Sequence, residues 1–157
     1  MRADRVAPST FRKNHMSTPE TETASSDDDQ ATESDPRNLS AVSNAMVRIY
    51  KDQFGRGPTK VRSHFAGPDT LVCLLEHTFT PAEKNLQAMG EHKLLRDTRT
   101  FFQYASAAEF VGAVEQTTGR KVRSFISGID TNADVACELF VLEPQRSDGA
   151  GSAVSGT

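Results

Sequence analysis

The chain says one short sentence twice, and that echo limits its fold more than any other feature. Gly119-Arg120-Lys121-Val122-Arg123-Ser124 repeats Gly55-Arg56 and Lys60-Val61-Arg62-Ser63, with Gly57-Pro58-Thr59 inserted in the first copy. A glycine follows four residues after each serine, at Gly67 and Gly128. An acid, Asp69 or Asp134, then precedes a second apolar run: Leu71-Val72-Cys73-Leu74-Leu75-Glu76 in one copy, Val135-Ala136-Cys137-Glu138-Leu139-Phe140 in the other. The two cysteines of the chain fall at matching places, and each copy follows a helix-like stretch. Fixed-period self-similarity of this kind marks a repeated supersecondary unit. The unit here reads as helix-strand-strand.

Local patterns fill in the elements. Ser40 can cap a helix running to about Phe54, where Gly55 stops it. Lys60 to Ala66 alternates, with Val61, Ser63 and Phe65 on one side and Lys60, Arg62 and His64 on the other. Gly67-Pro68-Asp69 turns into a second strand, Thr70 to Thr78, closing a β-hairpin. Thr80-Pro81-Ala82-Glu83 has the form of a capping box with proline at the first helical position. Gly90 ends or kinks that helix.

A longer helix is expected from about Glu91 to Thr118, carrying Leu94, Leu95, Phe101, Phe102, Ala105, Ala108, Val111 and Val114 as one stripe. At that length it would be roughly 40 Å long, longer than a small domain is wide, which favours packing on a partner unless it kinks back. Lys121 to Gly128 is the third strand, alternating like its twin, and Asp134 to Leu142 the fourth. The expected fold is therefore α+β and two-layer. Duplicated helix-strand-strand units form a four-stranded antiparallel sheet covered by helices, one of them long.

Composition sets the boundaries. Apolar residues make up 36% of the 157, low for a chain folded throughout. Residues 17–35 carry Glu20, Glu22, Asp27, Asp28, Asp29, Glu33 and Asp35 with no Lys or Arg. Such a segment buries too little surface to offset its ordering entropy. The expectation is a disordered acidic tail over 1–38, a folded domain over 39–144 and a second disordered tail over 145–157. Between Ala41 and Glu143, twelve Lys/Arg balance twelve Asp/Glu, so the net charge of −3 belongs to the tails. A neutral core argues against nucleic acid as a partner. Arg2, Arg5, Arg12 and Lys13 are not followed by an apolar stretch, so no secretory signal is expected. Cys73 and Cys137 then read as reduced, buried thiols; a disulfide would need the repeats to pair face to face.

No catalytic constellation emerges, so a non-enzymatic protein without cofactor or metal is expected. His64 and His77 share a hairpin with Cys73, while His15 and His92 lie apart, and no metal-ligand spacing links them. The sharpest chemical feature is cationic: Arg56, Lys60, Arg62, Arg120, Lys121 and Arg123 supply half of the core's bases. Strand alternation would put Lys60, Arg62, Lys121 and Arg123 on one sheet face, to meet an anionic headgroup, a small anion or an acidic partner surface. The plainer alternative is a solvated face whose charges are balanced across strands by Glu76 and Glu138.

Together, Ala45-Met46-Val47-Arg48-Ile49-Tyr50-Lys51, Phe54-Gly55-Arg56-Gly57-Pro58, Asp69-Thr70-Leu71-Val72, Thr80-Pro81-Ala82-Glu83 and Thr118-Gly119-Arg120-Lys121-Val122 resemble the MpsC-like family over about residues 41–144. The resemblance implies a soluble component of a sodium-translocating, membrane-potential-generating system linked to inorganic-carbon supply. It implies partners: an antiporter-like membrane subunit and a large soluble subunit. It implies a cytoplasmic location, with peripheral attachment at the inner face of the membrane, and carries over no catalytic residue. Two functions stay open. One is an accessory domain docking through the repeated Arg/Lys strands and the Gly55–Pro58 loop, alone or as a homodimer. The other is a regulator sensing a small anion or ligand on the same basic face.

Overall fold

The computed structural model describes residues 36–145; of the tails expected over 1–38 and 145–157, the parts at 1–35 and 146–157 lie outside them, as does His15, while residues 36–38 belong to a helix. Eight elements follow one another: α1 (Pro36–Phe54), β1 (Lys60–Phe65), β2 (Thr70–Glu76), α2 (Pro81–Ala88), α3 (His92–Ala105), α4 (Ala107–Thr118), β3 (Val122–Asp130) and β4 (Val135–Leu142). The four strands form one antiparallel sheet in the order β1-β2-β4-β3. The two hairpins therefore meet through their second strands, and the strands that carry the echo become the two edges.

Alternation decides which residues reach the core. Leu71, Cys73 and Leu75 of β2 and Ala136, Phe140 and Leu142 of β4 are buried, and they join Val42, Met46 and Tyr50 of α1 and Phe110 and Val114 of α4 in one cluster. Val61 and Phe65 of β1 and Val122, Phe125 and Ile129 of β3 pack against it from the edges. The alternating set, Val72, Leu74, Val135, Cys137, Leu139 and Val141, is half-buried and contributes nothing to that cluster.

The helices begin and end for local reasons. α1 starts at Pro36, a turn before the expected Ser40 cap, because proline suits the first helical position and Leu39 and Val42 already belong to the apolar face. α1 is followed by Gly55 (φ 71°) and α4 by Gly119 (φ 70°), both left-handed as the sequence required. The capping box of α2 is complete: Glu83 N–H donates to Thr80 Oγ1 (3.3 Å) and Thr80 N–H to Glu83 Oε2 (2.8 Å).

Two expectations are corrected. The single helix over 91–118 is two helices, broken at Ser106 (φ −101°, ψ 16°). The Gln53 amide of α1 donates to Phe102 C=O and to Ser106 Oγ (2.9 Å), supplying partners at the break. The break resets the helical phase, so the expected stripe splits. α3 buries Leu95, Arg99 and Gln103 and leaves Leu94, Phe101 and Phe102 exposed, while α4 buries Phe110 and Val114.

The second correction concerns the echo. Val122 pairs with Leu142 and Ser124 with Val141, so Arg123 is the extra residue of a β-bulge. A one-residue slip sends later side chains to the opposite face. Val61 and Val122 hold matching core positions, but past the bulge Ser124 faces half-buried Val141 where Ser63 faces buried Cys73. Separately, the two cysteines are not equivalent: Cys73 is buried in the core and Cys137 half-buried on the other face. Both thiols are free.

Candidate functional site

The fold distributes the six expected cations. Lys60 and Arg62 stand exposed on β1 and share Glu76 of β2, at 3.2 Å and 2.5 Å; the hydrogen bond from Lys60, more than Arg62, holds that carboxyl below its usual range. Lys121 is exposed and paired with Glu115 of α4 (2.7 Å). Arg123 is the exposed bulge residue. Arg120 is buried at 8% exposure and braces the β1–β2 turn, through Pro68 C=O and the Asp69 carboxylate, and the end of β4, through Glu143 C=O. Arg56 is half-buried in the loop after α1. β1 and β3 lie three strand spacings apart, about 14 Å, and run antiparallel, which sets the matched cations at diagonal corners of the sheet. The structure brings Lys60 and Arg62 together but not with Lys121 and Arg123, so no single basic patch forms. Glu138 does not balance them either. It alternates with Ala136 and Phe140 and points into the core.

That buried glutamate heads a polar cluster that sequence reading missed. Glu138 is 0% exposed. Its Oε1 accepts from Tyr50 Oη of α1 (2.6 Å) and from Gln103 Nε2 of α3 (3.0 Å), and Gln103 also donates to Tyr50 Oη (2.8 Å). Burial pushes the carboxyl up to about 7, against the pull of the Tyr50 and Ser127 hydroxyls. Burial, then the neighbouring Glu138, raises Tyr50 well above its ordinary value. One turn away, Arg99 is also fully buried. It donates to Glu83 and to Thr78 C=O, and its guanidinium lies 3.8 Å from the Phe54 ring centroid. Partial burial pushes the Glu83 carboxyl up, but Arg99 and Thr80 outweigh it and hold it below the usual range. Asp134, with φ 51°, ties the two strand ends by accepting from Thr78 N–H, Thr78 Oγ1 and Phe79 N–H. The available signal was Glu138 standing at an inward parity in Val-Ala-Cys-Glu-Leu-Phe-Val-Leu, with Arg99 and Gln103 one helical turn apart behind Leu95.

A third feature lies on the surface. Met89 (72% exposed), Leu94 (51%), Phe101 (70%) and Phe102 (43%) present apolar area before and along α3. Phe102 leans on Phe54 at the end of α1 (centroids 6.1 Å) and Phe101 on Phe102 (5.7 Å), so the strip borders the loop that begins at Gly55. No group of three or more His, Cys, Asp or Glu side chains among the described residues is placed to hold a metal ion. His92 Nδ1 is instead 3.0 Å from Thr131 Oγ1. No helix among the described residues is long and apolar enough to cross a membrane.

An antiparallel sheet that buries one face under helices, with polar residues knitting those helices to its centre and an apolar strip left outside, defines an α+β domain. The sequence model described as "Na+-translocating membrane potential-generating system (MpsC)" matches residues 38–144, and the chain belongs to that family. No curated protein and no solved structure matches it.

Proposed function

We propose that the chain is a non-enzymatic accessory component of a sodium-translocating, membrane-potential-generating system that works by docking on a partner subunit. Family membership supplies the system. The observation that carries docking is the strip on α3. A phenyl ring at 70% exposure beside a second exposed phenylalanine and Leu94 is costly to leave in water and is the kind of anchor that protein interfaces bury. The loop from Gly55 borders it. The strand cations support a smaller share of the reading. Lys60, Arg62 and Lys121 already have carboxylate partners, and exposed pairs of that kind contribute little. The same pairing disfavours the anion-sensing alternative, which needs convergent cations.

Co-purification with the system's membrane subunit from native membranes separates the two surfaces. Phe101→Asp with Leu94→Asp is expected to abolish it while circular dichroism stays unchanged. Arg62→Ser with Arg123→Ser is expected to weaken it only slightly. The reverse pattern moves the docking surface to the strands, and retention by both double variants rejects docking through either.

A further inference from the structure

One row of side chains crosses the sheet where apolar residues would be expected. Ser63 of β1 faces Cys73 of β2, Cys73 faces Glu138 of β4, and Glu138 faces Ser127 of β3. Cys73 and Glu138 are fully buried and Ser127 nearly so. The row continues outward: Ser63 Oγ donates to Cys73 Sγ (3.2 Å) and lies 2.7 Å from Ser43 Oγ of α1. Ser43 and Ser63 line an open groove of about 530 Å³ between α1 and β1, with Leu39, Ser40, Arg62 and His64. A hydrogen-bonded path thus runs from solvent to the strand neighbour of a buried carboxyl.

The charges around Glu138 do not favour a carboxylate. From α1 it meets the neutral Tyr50, from α3 Gln103 and, beyond it, Arg99. From β2 it meets Cys73, from β3 Ser127, its own strand carries Cys137, and Asp134 stands just before that strand. Arg99 is committed to Glu83, and Asp134 is a second buried acid with no cation among its hydrogen-bond partners. An ionised Glu138 would be an unpaired buried charge, which proteins avoid by keeping the proton. Glu138 Oε2 and Ser127 Oγ, on facing residues of β4 and β3, have no hydrogen-bond partner. A proton on Oε2 gives each of them a partner.

We infer that Glu138 is a proton-binding site built into the sheet, loaded and unloaded through Cys73, Ser63 and Ser43 from the groove between α1 and β1. The Cys73 thiol makes no hydrogen bond to Glu138, whose Oε2 has no partner; on loading it turns to Oε2, passes its proton to the carboxylate and takes the Ser63 proton. Ser63 takes that of Ser43, and Ser43 takes one from groove water; unloading is the reverse. Burial and the nearby Glu138 push the Cys73 thiol up to about 12, although the Ser63 hydrogen bond opposes this, so its resting form carries the proton to be passed.

Infrared titration of the full chain tests the site. The protonated-carboxyl band that Glu138→Gln removes is expected to vanish with a midpoint near pH 7. A midpoint in the ordinary glutamate range, about 4.3, overturns the site. After a pH jump, Ser63→Ala and Cys73→Ala are expected to slow that band's response at least about tenfold at an unchanged midpoint, while Ser63→Thr and Cys73→Ser, which keep a transferable proton, retain the fast response. Equal rates in the alanine variants overturn the path, and folding losses in them leave Ser63→Thr and Cys73→Ser to decide it, since a slow response in those two overturns it as well.

Discussion

At the scale of single residues, two buried polar side chains make opposite demands. Glu138 is raised by burial to about 7, so the folded protein keeps its proton where the unfolded chain, titrating near 4.3, has lost it. The stability this group contributes is full in acid, declines as pH rises through that window, and is gone above it. Glu138→Gln keeps the shape without the charge. The variant should match the wild type near pH 4 and exceed it above about pH 8 by about 4 kcal/mol, read from urea unfolding at each pH; a constant difference across pH contradicts this. Arg99 behaves differently because its charge is matched. Arg99→Ala leaves Glu83 unpaired and opens a space among Phe54, Phe79 and Tyr50, so a loss of about 3–5 kcal/mol is expected in the same assay.

At the scale of elements, the caps and breaks were unevenly legible. Thr80-Pro81-Ala82-Glu83 announced α2 because its bonds are local, and Gly55 and Gly119 announced two helix ends because few other residues accept positive φ. Thr80→Ala should cost about 1 kcal/mol, and more if Glu83 loses its hold on Arg99. The break at Ser106 was not legible. Ala105-Ser106-Ala107-Ala108 contains no breaker, and Gln53, which donates to Phe102 C=O and Ser106 Oγ at the break, lies on another helix. Gln53→Ala should therefore lower stability by about 1 kcal/mol and raise exchange of the amides around Ser106 in hydrogen–deuterium measurements, with β2 and β4 unaffected. The bulge at Arg123 was hidden for a related reason: Lys-Val-Arg-Ser reads the same with or without a slipped register, and only pairing to β4 reveals it.

At the scale of the whole molecule, the four-stranded antiparallel sheet followed from two hairpins whose second strands are the more apolar, which makes them the centre and leaves the Arg/Lys strands as edges. The basic residues could be named in the sequence but not their fate. Arg120 turned inward to Asp69 and two carbonyls, and the two edges are too far apart to pool their charge. The strip on α3 was invisible for the converse reason: Leu94, Phe101 and Phe102 look like core until the break at Ser106 fixes which side of the helix is buried. A membrane-potential system component with this surface is expected to be held by its partner along α3. The most direct measurement is photo-crosslinking from position 101 in native membranes, with position 84, an exposed lysine on α2, as reference. The account predicts a strong adduct with the system's membrane subunit from position 101 and little from position 84. Equal adducts from both, or none from position 101, would contradict it.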